Sequence, residues 1–210
     1  MEDVLNQWAL PYDPMRPLIY FDERPCFLIE EVGAILPLSP GKAKRYHYEY
    51  KKQGSCCVFL AFEPHTGFRY VEVRERRTAV DYAAFMQALR TRHYPQVSQI
   101  VLVEDNLNTH TPGSFYEVLP PAEAFALAGN FEPHYTPIKG SWLNLAEIEF
   151  AALSKQCLDR RIPDIERLRR EVLAWAKQRN RAKKTVRWKF SQTQARNKMQ
   201  RHYHKIQKFN

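Results

Sequence analysis

The stretch Ile100 to His110, IVLVEDNLNTH, decides how the rest of the chain is interpreted. Its first four residues form a short continuous apolar run, which is typical of a strand buried on both faces of a sheet. Polar residues follow at once, at Glu104, Asp105 and Asn106. Because ligands and catalytic groups commonly lie at the carboxyl edge of an open α/β sheet, the pattern predicts that Asp105 faces a metal or a substrate. The alternative is an ordinary turn in which Asp105 and Asn108 bond their own backbone.

The composition indicates a soluble globular protein with one substantial core. Hydrophobic residues make up 44% of the 210 residues and charged residues 26%, which excludes a disordered chain. No apolar run approaches the roughly 18 residues of a membrane span, and the acidic start lacks the features of a signal peptide, so a cytoplasmic location is expected. Four cysteines without a CxxC pair, Cys26, Cys56, Cys57 and Cys157, are interpreted as inert buried thiols.

Charge divides the chain into two unequal parts. Residues 151–210 hold 18 Lys and Arg against 4 Asp and Glu, whereas the preceding part holds 14 against 19. Lys and Arg neutralise phosphates, and carboxylates hold hard cations. An acidic body with a basic end therefore predicts a protein that holds a polyanion against a cation site, although a solvated helical surface is also basic.

The remaining pattern predicts the order β, β-hairpin, α, β, α, β, α. Leu18 to Asp22, LIYFD, repeats the opening pattern of an apolar strand that ends in Asp. The other predicted elements are a lead-in helix or arm within 1–16, a hairpin of Cys57–Glu63 and Phe68–Glu75 with a turn at 64–67, a helix capped by Thr78 to about Arg92, a helical stretch from Pro112 toward Gly129 interrupted at Pro120 and Pro121, and a strand at Phe131–Thr136. Residues 33–54 are interpreted as an exposed loop, either one that touches nucleic acid or a plain surface loop.

Three helices are predicted after Pro137. Ser141 is expected to cap a helix from about Leu143 to Leu158, Asp164 a helix to about Lys184, and Ser191 with Gln194 a last basic helix. The first carries Glu147 and Glu149. At about 100° per residue these two carboxylates point to nearly opposite sides, so only one can face a given site.

Three acids therefore stand out: Asp22, Asp105 and one glutamate of the helix after the last strand. Mg²⁺ prefers a few carboxylate oxygens and keeps open positions for a substrate phosphate. Three converging carboxylates can hold two ions roughly 4 Å apart, which activate the attacking oxygen and stabilise the leaving oxygen of a phosphoryl transfer. The structural alternative is a set of turn and solvated helix carboxylates.

Three motifs make the chain resemble the catalytic domain of IS630-type transposases, within the Tc1/mariner group of DDE transposases. The motifs are YFDE (Tyr20–Glu23), LVEDNLNTHTP (Leu102–Pro112) and HYTPIKGSWLNLAEIEF (His134–Phe150). The resemblance implies an RNase H-like α/β fold, a mixed sheet flanked by helices, here with a basic helical C-terminal extension. We expect an arm at 1–16, the catalytic core at 17–158 and the extension at 159–210.

The resemblance also implies a site. The acidic triad that binds two Mg²⁺ or Mn²⁺ ions is carried over to Asp22, Asp105 and Glu147, the last because LNLAE matches the family's LNPxE with Leu145 in place of Pro. Residues expected to lie behind the ligands or to contact DNA are Asn106, Asn108, His110, Lys139, Ser141, Trp142 and Asn144. His110 could instead cap a turn, and Trp142 could be a packing anchor. Expected phosphate contacts are Arg167, Arg170, Arg181, Lys183, Lys184, Arg187 and Lys189.

The expected partner is double-stranded DNA, both element ends and a TA-containing target, bound by a homodimer near the nucleoid. Transposases of this type begin with helix-turn-helix modules, whereas here the first catalytic strand arrives by residue 18. We therefore expect a separately encoded helix-turn-helix half, or a truncated element. The competing hypotheses are a catalytically silent DNA-binding remnant and an RNase H-like nuclease acting on RNA hybrids or junctions.

Overall fold

A computed structural model of the protein describes residues 1–32, 40 and 49–207, without the side chains of residues 202 and 204–207. The strands are β1 Leu18–Glu31, β2 Tyr50–Glu63, β3 Phe68–Arg74, β4 Ile100–Glu104 and β5 Phe131–Tyr135. The α-helices are α1 Glu2–Ala9, α2 Ala79–Ala88, α3 Pro121–Ala128, α4 Ala146–Leu153, α5 Ile165–Arg181 and α6 Gln192–Gln207. A π-helical turn follows α2 at Leu89–His93 and another follows α4 at Ser154–Leu158.

The five strands form one mixed sheet in the order β3-β2-β1-β4-β5. β1, β2 and β3 form an antiparallel meander, and β4 and β5 continue the sheet in parallel with β1. All five residues of β4 are buried, as its continuous apolar run predicts. The predicted α/β class, with a mixed RNase H-like sheet flanked by helices, is confirmed.

The apolar side chains of β1 point alternately to the two faces of the sheet, and each face has its own core. Leu18 and Tyr20 point to the face covered by α1, α4 and α5, whereas Ile19 and Phe21 point to the face covered by α2 and α3. A sheet sandwiched between two layers of helices buries both of its faces. The strands are consequently rigid, and the residues at their ends are held in defined positions.

Several local signals form as predicted. Thr78 and Asp81 make a capping box at the start of α2, Asp164 Oδ1 accepts the Arg167 N–H at 2.7 Å, and the side chains of Ser191 and Gln194 each bond the backbone N–H of the other. These side chains satisfy the N–H groups that the first turn of a helix leaves without partners.

Other boundaries differ from the sequence prediction. β1 continues past Asp22 to Glu31, and residues 50–54, predicted as loop, belong to β2, because each strand supplies the other's ladder partners. The rest of the predicted loop, 33–39 and 41–48, lies outside the described residues. The predicted cap by Ser141 is wrong: Ser141–Leu143 form a 3₁₀ turn, and α4 begins only at Ala146, whose N–H is accepted by Asn144 Oδ1 at 3.1 Å.

The C-terminal part shares the core of the body. Leu168, Val172, Trp175 and Ala176 of α5 lie in the same apolar cluster as residues of β1, β2 and α4. The Asn180 side chain bonds both the N–H and the C=O of Arg69 in β3, each at 2.8 Å, and thereby covers an edge strand. The expected extension from residue 159 therefore begins with a helix packed on the sheet.

The hairpin turn between β2 and β3 holds the chain that follows α5. Gly67 has φ +73°, and a Cβ there would lie 2.8 Å from the backbone carbon of Lys183. Only glycine allows both this backbone conformation and this close approach. Residues 183–184 are therefore seated on the hairpin turn.

A buried ion cluster fixes α4 against β3 and α5. Glu149 and Arg69 have fully buried side chains in ion-pair contact, and Arg69 Nη2 donates to Glu149 Oε1 at 2.8 Å. Arg179 of α5 donates to both oxygens of Glu149, each at 2.9 Å. Burial alone would raise the pKa of Glu149, but the hydrogen bonds from Arg69 and Arg179 outweigh it and lower the pKa. Glu149 therefore faces the interior, while Glu147 is exposed on the other side of α4.

The four cysteines are free thiols; Cys56, Cys57 and Cys157 are buried, as predicted, whereas Cys26 is only partly buried. Burial raises the pKa of Cys57 to about 12. None of the described helices has the length and apolar character needed to cross a membrane.

Replacing Glu149 by Gln should lower the free energy of unfolding by about 3 kcal/mol, because two guanidinium groups would lose a buried counter-charge. The matched control is Glu166→Gln, which breaks an exposed pair with Arg169 and should change stability by less than about 1 kcal/mol. Urea denaturation measures both. Equal, small losses in the two variants would contradict a structural role for the buried cluster.

The contribution of Glu149 to the free energy of unfolding depends on pH. Since the folded protein lowers the pKa of Glu149, its stabilisation is present at neutral pH and is lost as the pH falls through the folded pKa. The destabilisation caused by Glu149→Gln should therefore shrink as the pH is lowered below the usual range of a glutamate. Urea titrations of both proteins at neutral and acidic pH measure this difference.

Candidate active site

Asp22 lies in β1, and Asp105 directly follows the neighbouring strand β4. Tyr20 of β1 is aligned with Val103 of the parallel strand β4, and each Asp lies two residues further along the chain. Adjacent strands are about 4.8 Å apart. The two half-buried carboxyl groups are therefore neighbours at one edge of the sheet, as the repeated strand-then-Asp pattern predicts.

Asn144 brings the start of α4 to this edge. Its buried side chain donates to the carbonyl of Phe21, the residue before Asp22, at 2.7 Å, and it accepts the N–H of Ala146. The backbone N–H of Glu147 in turn bonds the Asn144 carbonyl at 3.1 Å. Glu147 is thus held in the first turn of α4, beside the strand that carries Asp22, with its side chain exposed.

The pKa of Asp22 responds to the charges of neighbouring acids. Burial raises the pKa of Asp22 to about 7, and the negative charges of Glu147, Glu23 and Asp105 add to the shift. Asp22 Oδ1 accepts a hydrogen bond from the Glu23 N–H at 2.8 Å, and this bond lowers the pKa of Asp22 and so offsets part of the increase. Repulsion of this kind requires the carboxylates to lie near one another, and a bound cation would relieve it.

His110 lies behind Asp105 as a buried cation. Its Nδ1 is 2.6 Å from Asp105 Oδ1 and its Nε2 is 3.0 Å from Glu23 Oε2. Burial alone would lower the pKa of His110, but the bonds to Asp105 and Glu23 outweigh it and raise the pKa to about 10. The ring also stacks on Tyr82, with centroids 4.9 Å apart. His110 therefore lies between the side chains of Asp105 and Glu23.

Tyr82 extends this network to the end of β4. Its hydroxyl donates to Glu104, at 3.0 Å to Oε2, and burial raises the pKa of Glu104 to about 8. Sequence reasoning missed Tyr82, Glu104 and Glu23 as parts of the site. Glu23 adjoins Asp22 in YFDE, but its contact with His110 depends on tertiary packing.

An open cavity of about 310 Å³ adjoins Asp105. Its lining residues are Glu23, Arg77, Asn106, Leu107, Asn108 and Thr109. Asn106 and Asn108 are exposed in it, and Arg77 Nη1 lies 4.0 Å from Glu23 Oε1. The cavity offers amide donors and one guanidinium beside the carboxylates, a set suited to a phosphate or a sugar.

The segment between β5 and α4 forms the other side of the edge. Thr136 bonds the Glu104 carbonyl at 2.8 Å, and Lys139 and Ser141 are exposed in the turn that follows. Trp142 is half-exposed and packs edge-on against Phe190, with centroids 5.3 Å apart. Trp142 therefore has the packing contact that was its alternative prediction, while one part of its ring stays open.

The predicted phosphate-contacting residues are all exposed: Arg167, Arg170, Arg181, Lys183, Lys184, Arg187 and Lys189. In the described part of the chain none of these seven makes an ion pair, unlike Arg160, Arg169, Arg179 and Arg196. On α5, Arg167, Arg170, Lys177 and Arg181 recur three, seven and four residues apart and so share one side of the helix. They form a basic stripe from Arg167 to Arg181, about 21 Å long.

The carboxylates are chemically suitable metal donors. Hard divalent cations take oxygen ligands, and the site supplies them from Asp22, Asp105 and Glu147. Over the described ranges, no three His, Cys, Asp or Glu side chains form a ready-made metal-binding group. The chemistry of the three carboxylates nevertheless fits a hard divalent cation.

Comparison with known proteins assigns the family. Residues 17–169 match the family model of the DDE superfamily endonucleases. No curated protein matches. Among solved structures, the chain is similar to the Mos1 mariner paired-end complex with Mn (TM-score 0.57, 15% identity, 86% of this chain and 54% of that one) and to the isolated catalytic domain of Mos1 mariner transposase (TM-score 0.51, 13% identity, 88% and 90%).

The chain spans about half the length of the transposase in that paired-end complex and most of the isolated catalytic domain. At these identities the likeness shows a shared fold. Together with the family match over residues 17–169, it shows that the chain belongs to the DDE superfamily endonucleases and has the fold of a mariner transposase catalytic domain.

Proposed function

We propose that the chain is the metal-dependent DNA endonuclease and strand-transfer domain of an IS630-type, Tc1/mariner transposase. The observation that supports this proposal most is the geometry at one edge of the sheet: the alignment of β1 with β4 brings Asp22 close to Asp105, and Asn144 ties the start of α4, which carries Glu147, to the Phe21 carbonyl. In the first step, a water oxygen bonds to the phosphorus at an element end and the bond to the 3′ oxygen breaks. In the second, the released 3′-hydroxyl attacks a target phosphodiester, whose own 3′ oxygen leaves.

Asp22, Asp105 and Glu147 would hold two Mg²⁺ or Mn²⁺ ions. When bound, such ions activate the attacking oxygen and stabilise the leaving oxygen. Asn144 keeps Glu147 beside Asp22, because its side chain ties α4 to the Phe21 carbonyl. His110 would orient Asp105, because its Nδ1 lies 2.6 Å from Asp105 Oδ1.

The partner we propose is duplex DNA. The exposed cations of α5 and residues 183–189 would contact its phosphates, and Asn106, Asn108 and Lys139 would lie next to the strand at the acidic edge. Mos1 transposase is described in a paired-end complex with a left transposon end. By analogy we propose a homodimer on two DNA ends, a TA target and a separately encoded helix-turn-helix half.

Substituting Asp105 by Asn or Glu147 by Gln should lower Mg²⁺-dependent cleavage of element-end DNA by about 100-fold or more, because each removes a ligand charge from ions that contribute several kcal/mol. The matched control is Glu123→Gln, an exposed first-turn carboxylate of α3 that should leave cleavage unchanged. Cleavage is measured on end-labelled duplexes, and folding by urea denaturation. Undiminished cleavage in either site variant would reject the assignment. Salt-sensitive binding without cleavage by the unmodified chain would support the silent remnant instead.

Replacing Arg170 or Lys177 by Gln should weaken duplex binding and flatten the slope of log affinity against log salt by about 0.9 each, the value for one lost phosphate contact. The control is Arg16→Gln, because Glu132 already neutralises this guanidinium. Fluorescence anisotropy over a salt series measures the slopes. A slope unchanged by both stripe substitutions would place the DNA on another surface.

A further inference from the structure

The turn after β5 carries an isoleucine almost wholly in solvent. Ile138 is 94% exposed, more than any other large hydrophobic residue among those described. Single exposed apolar residues are common on protein surfaces. Ile138 differs from such residues because it lies in a tight turn of residues 137–140.

That backbone is tight and strained. Lys139, which follows Ile138, has φ +63°, a conformation that costs a non-glycine residue about 1 kcal/mol or more. The Gly140 N–H bonds the Pro137 carbonyl at 2.8 Å, and a Cβ at Gly140 would lie 2.6 Å from Pro137 Cγ. The turn 137–140 therefore holds Ile138 outward as a fixed projection, at a cost in conformational energy.

The projection stands beside the acidic edge. The turn begins at Thr136, whose N–H bonds the carbonyl of Glu104, the residue before Asp105. It ends at the 3₁₀ turn 141–143, directly before Asn144, which ties α4 to the strand of Asp22. The apolar projection is thus anchored on both sides to backbone that carries the site.

The neighbours of Ile138 favour a nucleic acid. Lys139 is exposed next to it, and in the described part of the chain the Lys139 side chain has no ion pair. Half of Trp142 is open to solvent nearby. An apolar tip flanked by a cation suits a duplex, in which apolar side chains insert between base steps while Lys meets the phosphates.

We infer that Ile138 is a wedge that enters between stacked bases of duplex DNA beside the acidic edge and opens the helix there. Its insertion unstacks a base step, so that the strand can approach Asp22, Asp105 and Glu147, while Lys139 holds the adjacent phosphate. The inference rests on the proposed function only in taking DNA as the ligand.

The test compares two duplexes of the same sequence, one fully paired and one with a short central mismatch, bound by the whole chain without divalent metal. Unstacking costs a few kcal/mol, and a mismatch removes part of that cost. The unmodified chain should therefore bind the mismatched duplex about 10-fold or more tightly, a difference of about 1.4 kcal/mol. Ile138→Ala should bind both duplexes with nearly equal affinity.

Phe125→Ala is the matched control, since Phe125 is 74% exposed on α3 and should keep the preference for the mismatch. Lys139→Gln should weaken binding to both duplexes equally and leave their ratio unchanged. An unchanged ratio in Ile138→Ala, or no preference in the unmodified chain, would overturn the wedge. So would an effect of Ile138→Ala on the molar mass in light scattering without any effect on the ratio, because Ile138 would then contact a second copy.

The preference for mismatched DNA can be measured independently of DNA cleavage. Glu147→Gln should retain the preference for mismatched DNA although it loses cleavage. If the preference persists in a chain that never cleaves, the wedge stands and the proposed function fails.

Discussion

The buried contact of Glu149 with Arg69 and Arg179 is the constraint on which the site depends. It joins α4 to the edge strand β3 and to α5, with every charge satisfied away from water. The ion pairs of Glu149 with Arg69 and Arg179 fix how α4 is rotated about its own axis. Glu147, two residues earlier and on the other side of the helix, is thereby turned outward. The position of one exposed carboxylate follows from the burial of another.

A second constraint acts on the acidic edge itself. Burial and the negative charges of Glu147, Glu23 and Asp105 raise the pKa of Asp22, while the His110 ring lies between Asp105 and Glu23. The remaining negative charge is unfavourable in the protein alone and favourable for a bound cation. Rigid neighbours allow this arrangement, since Phe21, Tyr82 and His110 pack ring against ring beneath it.

The structure also shows how the basic C-terminal part of the chain is joined to the acidic body. The basic C-terminal part packs on the acidic body through α5 and is held by the hairpin turn at Gly67. Arg69 and Arg179 form ion pairs with Glu149, whereas the basic stripe on α5 is exposed. Helix α5 therefore carries both kinds of cation: Arg179 stabilises the fold, and the residues of the basic stripe are open to a polyanion.

The sequence by itself determined that apolar strands precede Asp22 and Asp105, and where several helices begin. The apolar runs at Leu18–Phe21 and Ile100–Val103 and the caps at Thr78, Asp164 and Ser191 are local patterns, and local patterns act through neighbours in the chain. Only the tertiary structure decided the rest: the partners of Glu149, the role of Glu23 beside His110, and the start of α4 at Ala146 under the control of Asn144. These contacts join residues up to 123 positions apart, as between Asn144 and Phe21, and so depend on how the sheet and helices pack.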